Sequence, residues 1–110
     1  VIIYTVTVFK HFDQSREDYG KNRQRTWGYY VTFEEAEKSI VNNWGDMFEN
    51  NYYDMALIEK VPEGICICSE MIQWFKATFM PHVPGLYREP DVQRCDAPAW
   101  CASTVNWSMG

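Results

Sequence analysis

One stretch of this chain repeats its apolar residues at helical spacing, and it is short. Thr32 precedes Phe33, Ala36, Ile40, Val41 and Trp44, and Glu35 stands three residues after Thr32. That pairing is a capping box: the threonine hydroxyl takes an orphan N–H at a helix start, and the carboxylate returns the contact. Glu34 and Lys38 add an i,i+4 ion pair in the favourable orientation. Gly45 supplies a left-handed stop, so the spacing predicts a helix over 33–44. Asp46 with Glu49 offers a cap for one further helical turn. A single helix of this length is marginal in water and must lay its apolar stripe on another element. The rest of the chain has to supply that element as sheet.

It does so on both sides of the helix. Residues 1–9 are rich in β-branched and aromatic types. Ile2, Tyr4, Val6 and Val8 share a wholly apolar or aromatic face, while Ile3, Thr5, Thr7 and Phe9 make a mixed one, which predicts a strand with one core face. Residues 10–24 are polar and read as a loop or long hairpin tip. Residues 25–32 return to strand character, and Gly28 inside them suggests a bulge. Tyr52–Val61 is apolar on both faces, as in a central strand covered on one side by the helix. Pro62-Glu63-Gly64 is a turn, and Ile65–Cys68 and Glu70–Phe79 read as further β segments, a hairpin. Pro81, Pro84, Pro90 and Pro98 then break regular structure, so 80–110 reads as an irregular tail that wraps the sheet edge or reaches a partner. Within it, short strands are expected near 85–88 and 103–107. The order predicts an α+β fold: an antiparallel-rich sheet with one main helix on a face, in two layers.

Composition bounds the rest. The 110 residues make a single domain, 1–110. Five Trp, seven Tyr and six Phe bury enough surface to offset chain entropy, which argues against disorder. No apolar run approaches the ~20 residues of a membrane helix, so no membrane partner is expected. The net charge of −5 argues against a dedicated duplex-DNA binder, which needs a basic face to displace counterions. Val1 leaves any upstream segment unread, and a reduced cytoplasm is the default expectation. In a secreted protein, Cys66, Cys68, Cys95 and Cys101 would allow three pairings, and Asn106-Trp107-Ser108 would fit the glycosylation pattern.

Charge is unevenly spread. Residues 10–26 carry Lys10, Arg16, Lys21, Arg23 and Arg25 against Asp13, Glu17 and Asp18, while residues 33–70 carry nine acids against Lys38 and Lys60. With the second strand extended back to residue 21, Arg23, Arg25, Trp27 and Tyr29 fall on one face with Lys21. Cations for phosphate or carboxylate beside flat rings for stacking are what a nucleotide-like anion needs, so these four are the candidate ligand-binding residues. The competing account buries the rings in the core and leaves the basic residues as a solvated edge.

Other chemistries find less support. The cysteines form C-x-C, 26 residues, then C-x5-C, whereas zinc sites favour two to four residues between paired ligands. No metal or other cofactor is expected, and the thiols read as buried or free. His11 and His82 have no nucleophile motif around them, and neither a nucleophile elbow, an H-E-x-x-H nor a P-loop is present. The acid pairs Glu34/Glu35 and Glu49/Asp54 read as a polar helix face and a turn rather than a glycosidase dyad. No catalytic residue is assigned.

Several segments together resemble a group of small uncharacterised proteins of gut bacteria and their phages. They are Arg25-Thr26-Trp27-Gly28-Tyr29-Tyr30 leading into Phe33-Glu34-Glu35-Ala36, then Asn42, Glu49, Tyr52-Tyr53 with Ala56-Leu57-Ile58-Glu59-Lys60, Glu63-Gly64 and Trp74-Phe75. The closing Asn106-Trp107-Ser108-Met109-Gly110 matches that group's usual tail. The resemblance covers 25–75 and the last five residues, and residues 80–101 have no counterpart in it. It implies a cytoplasmic protein carried by a mobile element and transfers context rather than mechanism. The leading expectation is a non-enzymatic protein that binds or sequesters a small anionic, nucleotide-like ligand, such as a defence signal. The alternative is a protein-interaction module that docks on or inhibits a host protein through exposed aromatics and the Pro-rich tail. A structural-zinc domain is a further alternative. A homodimer would hide a sheet edge, although nothing in the sequence demands one.

Overall fold

The computed structural model describes residues 2–10, 24–62, 70–81, 83–87 and 89–98. Among these residues there are five strands and one α-helix: β1 (Ile2–Phe9), β2 (Gln24–Tyr30), α1 (Phe33–Val41), β3 (Met55–Pro62), β4 (Glu70–Thr78) and β5 (Asp91–Cys95). The strands form one antiparallel sheet in the order β2-β1-β3-β4-β5, with α1 packed on one face. This is the predicted α+β architecture. Among the described residues, no helix is long and apolar enough to cross a membrane.

The sheet centre is where the sequence is most apolar. In β3 every residue from Met55 to Glu59 is buried, as a strand covered on both faces requires. Alternation sends Ala56 and Ile58 toward the helix, where they join Val6, Val8, Ala36, Ile40 and Phe75. Met55 and Leu57 point the other way and form a second cluster with Phe9 and Trp74, whose rings lie 5.2 Å apart. The mixed face of β1 is therefore not an open one: Thr5, Thr7 and Phe9 are all buried. The expectation of a single core face on β1 is corrected here. Phe9 is the anchor of the far cluster, and Thr7 and Thr5, which precede it on the same face, are β-branched residues suited to a pleated surface.

The helix starts as predicted and ends early. Thr32 Oγ1 accepts from Glu35 N at 3.2 Å. The last helical residue is Val41, because Asn42 caps the helix and Asn43 turns left-handed at φ 49°. The Asn42 side chain donates back to Lys38 O at 2.9 Å, which closes the final turn. Gly45 is left-handed too, at φ 62°, but it lies in the 3-10 turn Trp44–Asp46 beyond the stop. Val41 and Trp44, expected on the buried stripe, are exposed as a result, and Ala36, Ser39 and Ile40 carry the contact. No further helical turn follows Asp46; residues 47–52 are turns.

The tail also departs from expectation. Instead of a short strand near 85–88, a strand forms at Asp91–Cys95 and adds to the edge of β4. Pro90 and Pro98 lie outside it and set its ends rather than interrupting it. Arg94 fastens this strand to the helix: Nε and Nη2 donate to the Glu37 carboxylate at 2.6 and 2.8 Å, and the guanidinium lies 5.8 Å over Phe33. The β segment expected at 65–68 and the short strand at 103–107 lie outside the described residues.

Candidate binding surface

The four candidate ligand residues do not form one face. β2 pairs with β1 as Val8↔Arg25 and Thr7↔Thr26, then resumes at Val6↔Gly28, so Trp27 is an extra residue. This is the bulge that Gly28 suggested, and it reverses the alternation beyond it. Arg25 and Trp27 stay on the helix side, where Trp27 packs against the main core. Tyr29 pairs with Thr5, on the far side, and is 66% exposed. Arg23 lies outside the described residues. Arg25 stacks 5.9 Å over the Trp27 ring, and its Nη1 donates to Glu49 Oε2 at 3.2 Å. Its charge is thus already matched by a carboxylate, which any anion would have to displace.

Beside this pair stands the connection from α1 to β3, and its backbone is unusual. Asn43, Gly45, Asp46, Glu49, Asn50 and Asn51 all have positive φ. Asn, Asp and Gly are the residues that enter this region at least cost, and they fill five of the six positions. Gly45 is required for a second reason: a Cβ there would come within 2.9 Å of the outer edge of the Trp27 ring. The segment is not loose, because Met47 and Phe48 are fully buried and plug it into the core. Lys10 holds its far end by donating to Asn51 O at 3.1 Å. The result is a firm ledge along the helix side of the molecule.

A polar cluster sits on the ledge. Asn43, nearly buried, accepts from Phe48 N through Oδ1 at 3.1 Å, and its Nδ2 donates to Tyr87 Oη at 2.8 Å and to Asp46 Oδ1 at 3.3 Å. The Tyr87 hydroxyl donates in turn to Asp46 Oδ1 at 2.9 Å. Partial burial, the bond to Asp46, and the negative charges of Asp46 and Glu89 push the Tyr87 phenol above its usual range, against a smaller opposing effect of Asn43. Tyr87 thereby ties the chain between β4 and β5 to the ledge. That chain presents Met80, Val83 and Leu86 to solvent at 72, 51 and 63% exposure. Val83 and Leu86 close a tight turn, Leu86 N donating to Val83 O at 3.0 Å across Gly85 at φ 85°.

The far face offers a shallow cavity of ≈ 290 Å³ bounded by Met71, Trp74 and Cys95. Burial pushes the Cys95 thiol up, with smaller opposed effects of Lys76 and Asp96. A thiol held protonated in this way is a poor nucleophile and a poor metal ligand. Cys66, Cys68, Cys101, His11 and His82 lie outside the described residues, and among the described residues no group of three or more His, Cys, Asp or Glu could hold a metal.

Of the four sequence candidates the structure brings together Arg25 and Trp27, and the Asn43–Asp46–Tyr87 cluster was not anticipated from the sequence. Its usable signal was the density of Asn, Asp and Gly after the helix, which marks left-handed turns rather than a single stop. No family model, curated protein or solved structure matches the chain. The functional reading therefore rests on the surface itself.

Proposed function

We propose that this chain is a non-enzymatic interaction module that docks on another protein through the β4–β5 connection. The observation that carries the reading is the exposure of Met80, Val83 and Leu86 on a segment that Tyr87 fixes to a firm ledge. Apolar side chains held outward on a tethered segment lose little further entropy on binding, which favours their use as anchors. Asp46 lies on the ledge and Glu89 and Asp91 on or next to the connection, while Glu49 on the ledge is already paired with Arg25. The partner surface that fits is therefore an apolar groove with a basic rim. The resemblance to proteins of gut bacteria and their phages makes a host protein the candidate.

The test immobilises the parent chain and a Val83→Asp/Leu86→Asp variant at equal density and exposes both to host lysate. Bound proteins are quantified by mass spectrometry at two salt concentrations. The expected result is a partner with a basic surface, held by the parent, weakened by salt, and depleted roughly tenfold or more on the variant, as loss of two anchors predicts. Equal retention by both chains, or no specific retention, removes the reading.

A second reading keeps the small anionic, nucleotide-like ligand, on the single observation that Arg25 is stacked on Trp27. Exchange of Glu49 for a phosphate would give that guanidinium a planar, charge-assisted contact beside a ring able to stack a base. Native mass spectrometry of the purified protein tests it directly. A co-purified mass in the nucleotide range, lost in both Arg25→Ala and Trp27→Ala, supports it; a ligand retained by both variants removes it.

A further inference from the structure

We infer that a second copy of this chain adds to the open edge of β2, antiparallel and related by a two-fold axis near Tyr29, so that two five-stranded sheets become one. The two sheet edges are built differently. β5 is five residues long, bounded by Pro90 and Pro98, and carries Asp91 and Arg94. Short length, proline and charge are the usual protections of an edge. β2 is seven residues long and carries Arg25 near its start, but from Thr26 to its end at Tyr30 it has no charge and no proline, and neither have Val31 and Thr32 beyond it. Its outer side meets no other strand among the described residues. The bulge at Trp27 protects only one end, leaving Gly28–Tyr30 in regular pairing with β1.

Three features make a copy of the same chain the fitting partner rather than an arbitrary strand. Charge is the first. Arg25 stands near the start of β2, paired at 3.2 Å with Glu49 of its own chain, which a second copy would have to share or displace; Glu34 and Glu35 follow the strand's end, and all three are exposed. Antiparallel self-pairing sets the basic end of each strand toward the acidic end of the other, twice; parallel pairing would set like against like. The second is Gly28. A Cβ at Gly28 would meet nothing within 4 Å, so the helix side of the edge has open space there. With the axis at Tyr29, that space faces Tyr30 of the other copy, a partly buried ring that already packs on the core of its own chain. A ring laid over an edge glycine is a recurring way to complete such a site. The third is Tyr29 itself. At 66% exposure it would pair with its own counterpart, an aromatic cross-strand contact on the far face, flanked by Val31 at 69% exposure.

The inference does not depend on the docking surface proposed above, which lies on the β4–β5 connection. Sedimentation equilibrium over a concentration series tests it, with the parent chain, Tyr29→Lys and Val31→Lys. The parent is expected to sediment as a monomer–dimer system. Each lysine variant is expected to keep the parent far-ultraviolet circular dichroism and to raise the dimer dissociation constant about tenfold or more: Tyr29→Lys sets like charges against each other on the axis, and Val31→Lys puts a charge on an apolar position that pairing would cover. Arg25→Glu is expected to weaken the dimer as well, and combining it with Glu34→Arg and Glu35→Arg to restore it. A parent that stays monomeric throughout overturns the inference. So does a dimer that both folded lysine variants leave intact, because such a dimer uses another surface. Should one lysine variant fail to fold, the other decides.

Discussion

Asn43 does three jobs that no other residue type does together. It takes the left-handed conformation that ends the helix, offers an acceptor to Phe48 N, and offers a donor to Tyr87. Glycine would give only the first, which is why Gly45 looked the better stop in sequence and was not. Tyr87 is the other half of this arrangement, and its consequence is a dependence on pH. A phenol whose folded-state pKa is raised contributes stability that is fully present below its unfolded value of about 10 and is lost as pH rises through the folded value. Above that point the phenolate would face Asp46 and Glu89. Phenolate absorbance, titrated in the parent and in Tyr87→Phe, should differ by one step on the alkaline side of 10. A difference step at or below 10 would contradict the upward shift that burial and Asp46 together impose on this phenol. The bond is largely exposed, so Tyr87→Phe should cost less than about 1 kcal/mol at neutral pH.

At the scale of elements, legibility followed the source of each signal. The start of α1 was readable because a cap is a local event between residues three apart. The central strand was readable because burial on both faces writes a continuous apolar run. β5 was not, since four prolines in the tail look like breakers, and only the fold reveals that Pro90 and Pro98 merely bound it. The candidate site was half legible for a similar reason. Arg25 and Trp27 were placed together correctly, but alternation carried Tyr29 with them, and the one-residue slip at Trp27 sent it to the other face. The helix holds by a narrow contact, with Ile40 its largest fully buried side chain. Ile40→Ala should therefore cost about 2–5 kcal/mol in chemical denaturation, the range for a large-to-small change in a packed core. A cost below about 1 kcal/mol would mean that α1 is not packed on the sheet as described.

The whole molecule is a sheet that buries both of its faces, with α1 over one cluster and Phe9, Leu57 and Trp74 making the other. That second cluster takes two of the aromatics, Phe9 and Trp74, out of the helix-side core. The order β2-β1-β3-β4-β5 has a further consequence, for time rather than for shape. β1 is inner on both sides, yet its register with β3 runs from Phe9↔Met55 out to Ile2↔Pro62. On the ribosome, β1 emerges well before β3, the central strand that pairs along its inner side. Until β3 is made, Val6 and Val8 on one face and Phe9 on the other have only β2 as a sheet neighbour, and apolar surface open in this way favours non-native association. Closing so distant a pairing is slow, so refolding followed by stopped-flow fluorescence should take on the order of milliseconds to seconds. Complete refolding within microseconds would contradict a rate set by the β1–β3 pairing. A newly made copy of this chain thus passes through a window in which a strand destined for the sheet interior still lacks the neighbour that will cover it.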